Sequence, residues 1–317
     1  MFKAISAVGA LALLAAACTP APSPASAPVT AAIEEPAMAE PPLMTWPDLL
    51  AIERPTGAEK IGWGTGQTDI ADLWLPAGAG PHPVAVMVHG GCWQKSIADR
   101  TLMDWMAHGL AQRGWAVWNI EYRGVDEAGG GYPGTFLDVG AATDALAVYA
   151  PQYNLDLSRV TGIGHSAGGH LILWLAARGK LPEGNALKPE SPIAFRGVVV
   201  SGGLADLEAA RPVTLESCLD AVYEPLTGPA SAERPDPLAD VSPARLLPIG
   251  VPFVSVHGDK DQIAPPLLGE ALTGKAVAAG DAAELIIVPE TGHVELVAPD
   301  TDAFRLQAEA LERFIQP

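Results

Sequence analysis

The sequence predicts an α/β fold, with a mostly parallel central sheet and helices on both of its faces. From about residue 45 onward, short apolar runs alternate with amphipathic runs. The apolar runs are rich in β-branched residues and are bounded by Gly, Pro or Asp, which is typical of strands buried on both faces. Strand and helix in alternation is the order that parallel strands joined by helical crossovers require.

The predicted strands share a nearly continuous apolar pattern. They are VAVMVH (84–89), AVWNIEY (116–122), RVTGIGH (159–165), GVVVSG (197–202), PFVSVHG (252–258) and AELIIVP (283–289). Ahead of them, IGWGTGQTDIADLWLP (61–76) is predicted to form a hairpin that adds antiparallel strands at one edge of the sheet.

The runs between these strands are predicted to be helices, at residues 100–114, 135–150, 168–179 and 300–315. In the first of them, apolar side chains recur at helical spacing, and Gly114 stands where a C-terminal cap belongs. Residues 204–248 are irregular and rich in Pro. Because so long a connection is rarely plain loop, we expect short helices there that cover one end of the sheet and shape a pocket.

The first residues of the sequence are predicted to form an export signal. Lys3 is followed by an uncharged apolar run at residues 4–17, which is short for a membrane span and fits the core of a signal peptide over residues 1–17. The run ends at Cys18 in LLAAAC, which resembles the lipobox of bacterial lipoproteins, where the Cys is acylated and becomes the mature N-terminus. The alternative is an ordinary secretory signal with an incidental Cys. Both interpretations export the protein, to the bacterial periplasm or to a lipid anchor on a membrane.

A tether is predicted over residues 18–44, before the folded domain at 45–317. Residues 19–43 contain seven Pro and seven Ala, a composition that favours extended backbone and cannot bury a core. A membrane anchor followed by a tether is the organisation that a lipoprotein needs.

The charge balance excludes nucleic acid as a partner. The chain has 19 Lys plus Arg against 37 Asp plus Glu, a net charge of -18, which repels phosphate backbones.

The predicted folded domain contains two cysteines, Cys92 and Cys218. An exported compartment would permit them to pair, but their spacing has no recognisable signature, so we expect two separate thiols.

The strongest chemical signal is GHSAG at residues 164–168, which follows a predicted strand and precedes a predicted helix. In that context a G-x-S-x-G motif holds its Ser in a strained turn with the hydroxyl exposed, and the helix N-terminus favours a developing negative charge. Ser166 is therefore the predicted nucleophile. The alternative is a Gly-rich turn with an ordinary Ser.

A Ser nucleophile needs a base and an acid that orients it. Asp259 and Asp261 come just after one predicted strand, and His293 comes just after the next. This is the chain order Ser, acid, His, with all three groups at the carboxyl ends of strands, where ligands of open α/β sheets bind. The spacing alone does not separate Asp259 from Asp261.

The remaining histidines are assigned structural roles. We expect His165 to point elsewhere in the turn, and His170 and His257 to be packed or hydrogen-bonded. None of the histidines forms an H-x-x-x-H or H-E-x-x-H pattern with a neighbour. The sequence therefore predicts no metal and no cofactor.

Together these motifs resemble the α/β-hydrolase superfamily. HGGCW (89–93), GHSAGGH, HGDKDQIAP and GHVEL are similar to segments of kynurenine formamidases and related esterases, including the feruloyl-esterase-like bacterial enzymes. The resemblance covers most of residues 60–315. It implies that the catalytic acid is the last residue of H-G-x-x-D, which is Asp261, with Asp259 as the runner-up.

The resemblance also implies that the H-G-G segment forms an oxyanion hole. We expect its donors to be the backbone amides of Gly91, Cys92 and Ala167, because fixed N–H groups stabilise the charge that develops on the substrate oxygen. The sulfur of Cys92 is expected to be a small filler, and His89 to order the loop. Trp93 is expected either to line the substrate pocket or to anchor the loop against the sheet.

These residues predict an exported serine hydrolase that cleaves small-molecule carboxylic esters through an acyl-enzyme. The resemblance leaves open an arylformamidase that hydrolyses an N-formyl amide with the same residues. Export disfavours it, because that activity belongs to intracellular tryptophan breakdown. A catalytically silent binding module on the same fold is the other alternative, although such a module is expected to lose part of the triad.

Overall fold

The computed structural model describes residues 42–316. The predicted signal peptide (1–17), the predicted lipidation residue Cys18 and nearly all of the predicted tether (18–44) lie outside the described residues. Within residues 42–316, no helix has the length and apolar character needed to cross a membrane.

The centre of the domain is one eight-stranded sheet, in which the strand order is β1-β2-β4-β3-β5-β6-β7-β8. The strands are β1 (Glu59–Gly62), β2 (Ile70–Trp74), β3 (His82–Val88), β4 (Ala116–Ile120), β5 (Leu155–His165), β6 (Val198–Ser201), β7 (Phe253–Gly258) and β8 (Ala283–Val288). The hairpin β1–β2 pairs antiparallel and joins β4 antiparallel, whereas β4, β3 and β5 to β8 are mutually parallel. The predicted α/β class, with a mostly parallel sheet, is confirmed.

The helices are α1 (Trp46–Ala51), α2 (Asp104–Gln112), α3 (Gly134–Tyr149), α4 (Ala167–Ala177), α5 (Leu207–Thr214), α6 (Tyr223–Thr227), α7 (Pro266–Ala279) and α8 (Asp302–Ile315). Two of them, α1 and α7, are not among the helices that the sequence predicts. Within the long connection at 204–248, short helices do form, and a π-helical turn at Leu215–Leu219 links α5 to the chain before α6.

Each face of the sheet carries its own hydrophobic core, and successive residues of a strand alternate between the two. In β3, Val84, Val86 and Val88 belong to one core, and Ala85 and Met87 belong to the other. This alternation explains why the strand segments are apolar at almost every position. Both faces of the sheet are therefore covered, and the residues of the candidate site lie in the loops that follow the carboxyl ends of its strands.

Candidate active site

Ser166 lies in the tight turn between β5 and α4. Its backbone has φ 55° and ψ -119°, a left-handed conformation that costs energy for a residue with a side chain. The turn closes only because its flanking residues are glycines: a Cβ on Gly164 would lie 2.0 Å from the Gly168 oxygen, and one on Gly168 would lie 2.1 Å from the Val88 oxygen. Ser166 lines a cavity at the carboxyl ends of the strands.

His293 and Asp261 form a buried pair beside this turn. His293 donates from Nδ1 to Oδ2 of Asp261 over 2.6 Å, and the other carboxylate oxygen accepts the N–H groups of Ile263 and Ala264 at 2.8 Å each. Burial by itself would raise the pKa of Asp261, but the hydrogen bonds and the charge of His293 outweigh it and lower the pKa below its usual value. Asp261 is therefore a carboxylate at neutral pH.

The carboxylate of Asp259 has a different partner. It accepts the backbone N–H of Thr291 over 3.2 Å, and within residues 42–316 no hydrogen bond joins it to His293. Of the two acids that the spacing left open, the one beside the imidazole is Asp261.

Ser166 and His293 line the same cavity. Because Nδ1 of His293 is held by Asp261, its Nε2 is the ring nitrogen available to a reacting group. Among the described residues, no hydrogen bond joins the Ser166 hydroxyl to His293. Such contacts are often long in an unliganded site and tighten only when substrate is bound.

The loop after β3 lies directly over Ser166. A Cβ on Gly90 would come within 3.1 Å of the Ser166 Cβ, so only glycine allows this approach. Gly91 and Cys92 follow with φ angles of 109° and 50°, and both line the cavity. The N–H of Ala167 is the first of α4 and has no acceptor within the helix. Two of the three predicted oxyanion-hole residues, Gly91 and Cys92, thus border the cavity, and the third, Ala167, directly follows Ser166.

A buried carboxylate supports this loop from below. His89 contacts the Gly90 oxygen from Nδ1 at 2.7 Å and Oε1 of Glu121 from Nε2 at 2.8 Å. Glu121 also accepts from Lys95 over 2.8 Å. Burial would raise the pKa of Glu121, but hydrogen bonds and charge from His89 and Lys95 lower it far below its usual value. Sequence reasoning missed Glu121, although an acidic residue in an apolar strand segment is itself a signal.

Trp93 does not line the cavity. Its side chain is fully buried, its Nε1 donates to Nδ1 of His170 over 3.1 Å, and the two rings meet edge to face at 5.4 Å. Nε2 of His170 donates to the Val241 oxygen over 2.7 Å. The pocket role expected for Trp93 is therefore corrected to the alternative, an anchor that fixes the end of the loop.

His165 also differs from its expectation. It was expected to point elsewhere, but it lines the cavity, and its ring lies 4.4 Å from that of His293. Its Nε2 donates to the His293 oxygen over 3.1 Å. Burial, and next the charge of His293, lower the pKa of His165 well below its usual value. His165 is thus a neutral ring that buttresses the His293 loop.

Cys92 and Cys218 form a disulfide, which corrects the expectation of two separate thiols. Their Cα atoms are 5.3 Å apart and their sequence separation is 126 residues. The bond ties the loop after β3 to the π-helical turn at Leu215–Leu219. No sequence spacing marks such a bond, because the fold alone brings these two segments together.

The N-terminal segment supplies a wall of the cavity that sequence reasoning did not find. Trp46 in α1 meets the rings of His293 and His165 edge to face, with centroids 6.4 and 6.2 Å away. The backbone N–H of Met44 donates to Glu295, whose carboxylate also accepts the N–H of Gly292 over 3.0 Å. The segment is therefore attached to the loop that carries His293.

The cavity has a volume of about 610 Å³ and is largely apolar away from the reacting groups. Its apolar walls come from Trp46, Leu50, Ile97, Leu102 and Ile263. Two cations reach its edge, but both are paired: Arg54 with Asp104 at 2.9 Å, and Lys95 with Glu121 at 2.8 Å. Within residues 42–316, no group of three or more His, Cys, Asp or Glu side chains could hold a metal ion.

A protein-family model matches most of the residues of this domain. The BD-FAE model matches residues 71–275, which cover the strands from β2 to β7, the Ser166 turn and the Asp261 loop, and which end before β8 and His293. Curated proteins provide no match to the chain.

Solved structures share the fold at low identity. A truncated carbohydrate esterase from gut microbiota aligns with a TM-score of 0.65 and 21% identity, over 83% of this chain and 98% of its own. Esterase B from Lactobacillus Rhamnosis aligns with a TM-score of 0.68 and 20% identity, over 81% and 84%. The Est2 esterase of Thermogutta terrifontis aligns with a TM-score of 0.63 and 19% identity, over 82% and 91%. At these identities the likeness shows the fold alone.

Proposed function

The chain belongs to the BD-FAE family, an esterase family of α/β-hydrolase type, and on this basis we propose that it is a serine hydrolase of carboxylic esters. The observation that carries the proposal is one cavity that contains Ser166 in a strained strand-to-helix turn and His293 paired with Asp261 at 2.6 Å. These are the nucleophile, base and orienting acid that acyl transfer requires.

The reaction would proceed in two steps. Nε2 of His293 takes the proton of the Ser166 hydroxyl as its oxygen attacks the ester carbonyl, and the protonated ring then gives that proton to the leaving alcohol. In the second step His293 removes a proton from water as the water oxygen attacks the acyl-enzyme, and the protonated ring then returns that proton to the Ser166 oxygen as the acid leaves. Asp261 holds the ring with Nδ1 protonated and stabilises its positive charge in each step.

The oxyanion would be held by the amides of Gly91, Cys92 and Ala167. Gly91 and Cys92 border the cavity and Ala167 directly follows Ser166, and loss of one such donor typically costs about 3 kcal/mol of transition-state stabilisation. The apolar walls favour an ester with an extended apolar group on one side of the scissile bond, because burial of that group strengthens binding.

Nothing in the site or its relatives favours the arylformamidase alternative. A silent binding module would not need the buried Asp261–His293 pair beside Ser166, since a buried carboxylate is costly to keep without a use.

We also propose that the protein is exported and attached to a membrane through a lipid on Cys18, on the strength of the apolar run at 4–17 and LLAAAC. A mature protein that stays soluble, or a Cys18→Ala variant that stays membrane-bound, would contradict the anchor.

A substrate panel tests the ester proposal. p-Nitrophenyl esters of rising chain length, feruloyl and acetyl-sugar esters and N-formylkynurenine are assayed with the wild type and with Ser166→Ala. We expect ester turnover that Ser166→Ala abolishes, with kcat/KM rising with the size of the apolar acyl group. Turnover of N-formylkynurenine above that of every ester would favour the formamidase instead.

The same assay tests the acid. Asp261→Asn is expected to lower kcat by about 10³- to 10⁴-fold, because the imidazole loses the partner that fixes its tautomer. Asp259→Asn is the matched control and should retain most activity, since the Asp259 carboxylate accepts the Thr291 amide, whereas the His293 ring is held by Asp261. A larger loss from the control would overturn the assignment.

A further inference from the structure

We propose that Cys218 is a positioning residue of the oxyanion hole: through its disulfide it holds the Cys92 amide in the orientation that binds the developing oxyanion. This inference rests on the proposed function and adds a requirement to it, namely that the bond must be oxidised for full catalysis. It is carried by the backbone of the loop, by the anchors on either side of Cys92, and by the burial of Cys218.

The loop holds a backbone conformation that it would not adopt unaided. Gly91, Cys92 and Trp93 have φ angles of 109°, 50° and 54°, so three successive residues lie in the left-handed region and two of them carry side chains. Non-glycine residues are disfavoured there, and such strain persists only where the surroundings impose it. Something must therefore hold the backbone at Cys92.

The other side-chain anchors of the loop act before and after Cys92, and the N–H of Gln94 donates to the Gly91 oxygen over 2.8 Å, which closes a turn around Cys92 but does not attach that turn to the rest of the fold. Before it, His89 is fixed by Glu121 and by the Gly90 oxygen. After it, the buried Trp93 ring is fixed by His170, and the Trp93 oxygen accepts the N–H of Val125 over 2.7 Å. The disulfide is the covalent restraint at Cys92 itself, the residue whose amide borders the cavity.

Cys218, at the other end of the bond, lies in the hydrophobic core. Cys218 is 7% exposed, and Leu219 and Val222 after it are fully buried in the core that includes the sheet. Ser217, just before it, lines the same cavity as Ser166. The bond thus connects the strained loop at Cys92 to a segment of the cavity wall that is packed into the core.

Reduction would release this restraint. A dithiol reductant supplies two electrons and two protons, the S–S bond breaks, and Cys92 and Cys218 become thiols while the reductant becomes its own disulfide. The left-handed residues can then relax, and the Cys92 amide turns away from the oxyanion. Because that amide binds charge present only in the transition state, kcat should fall while KM changes little. Since structural disulfides form in oxidising compartments, full activity would follow export.

The experiment compares oxidised and reduced full-length protein at 25 °C. kcat and KM for a p-nitrophenyl ester are measured before and after treatment with dithiothreitol, with alkylation and mass spectrometry to count the free thiols. We expect kcat to fall by about 10- to 100-fold with KM within about twofold, and reoxidation to restore it. Circular dichroism at the assay temperature reports whether the fold is intact.

Variants separate positioning from reagent effects. Cys218→Ser should reproduce the loss of kcat and no longer respond to dithiothreitol, and it should bind a trifluoromethyl ketone, which mimics the tetrahedral oxyanion, about 10- to 100-fold more weakly. Cys18→Ser is the matched control: it removes a cysteine, keeps the disulfide, and should show wild-type kcat and the wild-type response.

Unchanged kcat and unchanged inhibitor affinity in a verified reduced protein would overturn the proposal, as would a loss of kcat that coincides with loss of the circular dichroism signal. Failure of the proposed function looks different. In that case the oxidised wild type itself hydrolyses no ester, whatever the state of Cys92 and Cys218.

Discussion

Acid should destabilise this protein through a buried histidine that anchors the catalytic loop. His170 accepts a hydrogen bond from Trp93 on Nδ1 and donates one from Nε2 to the Val241 oxygen. Only the neutral ring can do both, because the protonated ring has no acceptor. The perturbation is His170→Gln, which keeps an amide that can donate and accept but does not titrate.

The magnitude follows from the pKa of His170, which burial lowers from 6.5 to about 4. Between these pH values the His170 side chain is protonated in the unfolded chain but neutral in the folded protein, so the free energy of unfolding rises with pH. The contribution is fully present above pH 6.5 and is lost as pH falls toward 4. At about 1.4 kcal/mol per pKa unit, the total is about 3 kcal/mol, of which about 2 kcal/mol is gone by pH 5.

Urea unfolding at pH 7 and pH 5 measures this contribution. The drop in unfolding free energy between the two values should be about 2 kcal/mol smaller in His170→Gln than in the wild type. His82→Gln, at the start of β3, is the matched control for the replacement of a histidine by glutamine. An identical drop in His170→Gln and wild type would refute the assignment of His170 as a neutral buried anchor.

Other substitutions test other parts of the site. Gly91→Val should lower kcat by about 10²- to 10³-fold, because its Cβ would lie 2.8 Å from the Ala98 Cβ at a φ of 109° and displace an oxyanion donor; Gly179→Val, in open space, is the control and should match wild type in the ester assay. Cys218→Ser should lower the unfolding free energy by about 2–5 kcal/mol in denaturant titrations, because the bond closes a loop between residues 126 apart; an unchanged midpoint would contradict the bond. Trp46→Ala should lower kcat/KM about tenfold more for bulky apolar esters than for an acetate ester, and an equal loss for both would argue against a binding role for this wall.

The sheet was predictable because its burial is two-sided. Val84 to Val88 in β3 are apolar at every position, as residues packed alternately into two cores must be. Helix α7 was missed for the opposite reason. Leu268, Leu272 and Ala276 are buried, but Leu267 and Val277 are exposed, so the apolar residues do not mark one face. A helical period is visible in a sequence only where the apolar residues are confined to the buried face of the helix.

The motif residues around Ser166 were predictable because their chemistry fixes both residue type and local backbone. Gly164 and Gly168 are required because a Cβ at either position would lie about 2 Å from a backbone oxygen. The G-x-S-x-G motif already indicates this requirement in the sequence. The supporting residues were not predictable, because each acts through a contact made by the fold. Cys218 and Trp46 contact the site from segments far in sequence from any motif. The Trp93 side chain is buried, and its Nε1 donates a hydrogen bond to His170.

The central claim is that Ser166 is a nucleophile activated within this cavity, and covalent labelling tests it most directly. A fluorophosphonate probe is added to the oxidised protein, and the modified peptide is identified by mass spectrometry. We expect one adduct, on Ser166, that is absent in Ser166→Ala and forms far more slowly in His293→Ala. An unlabelled wild type, or labelling that persists in Ser166→Ala, would contradict it.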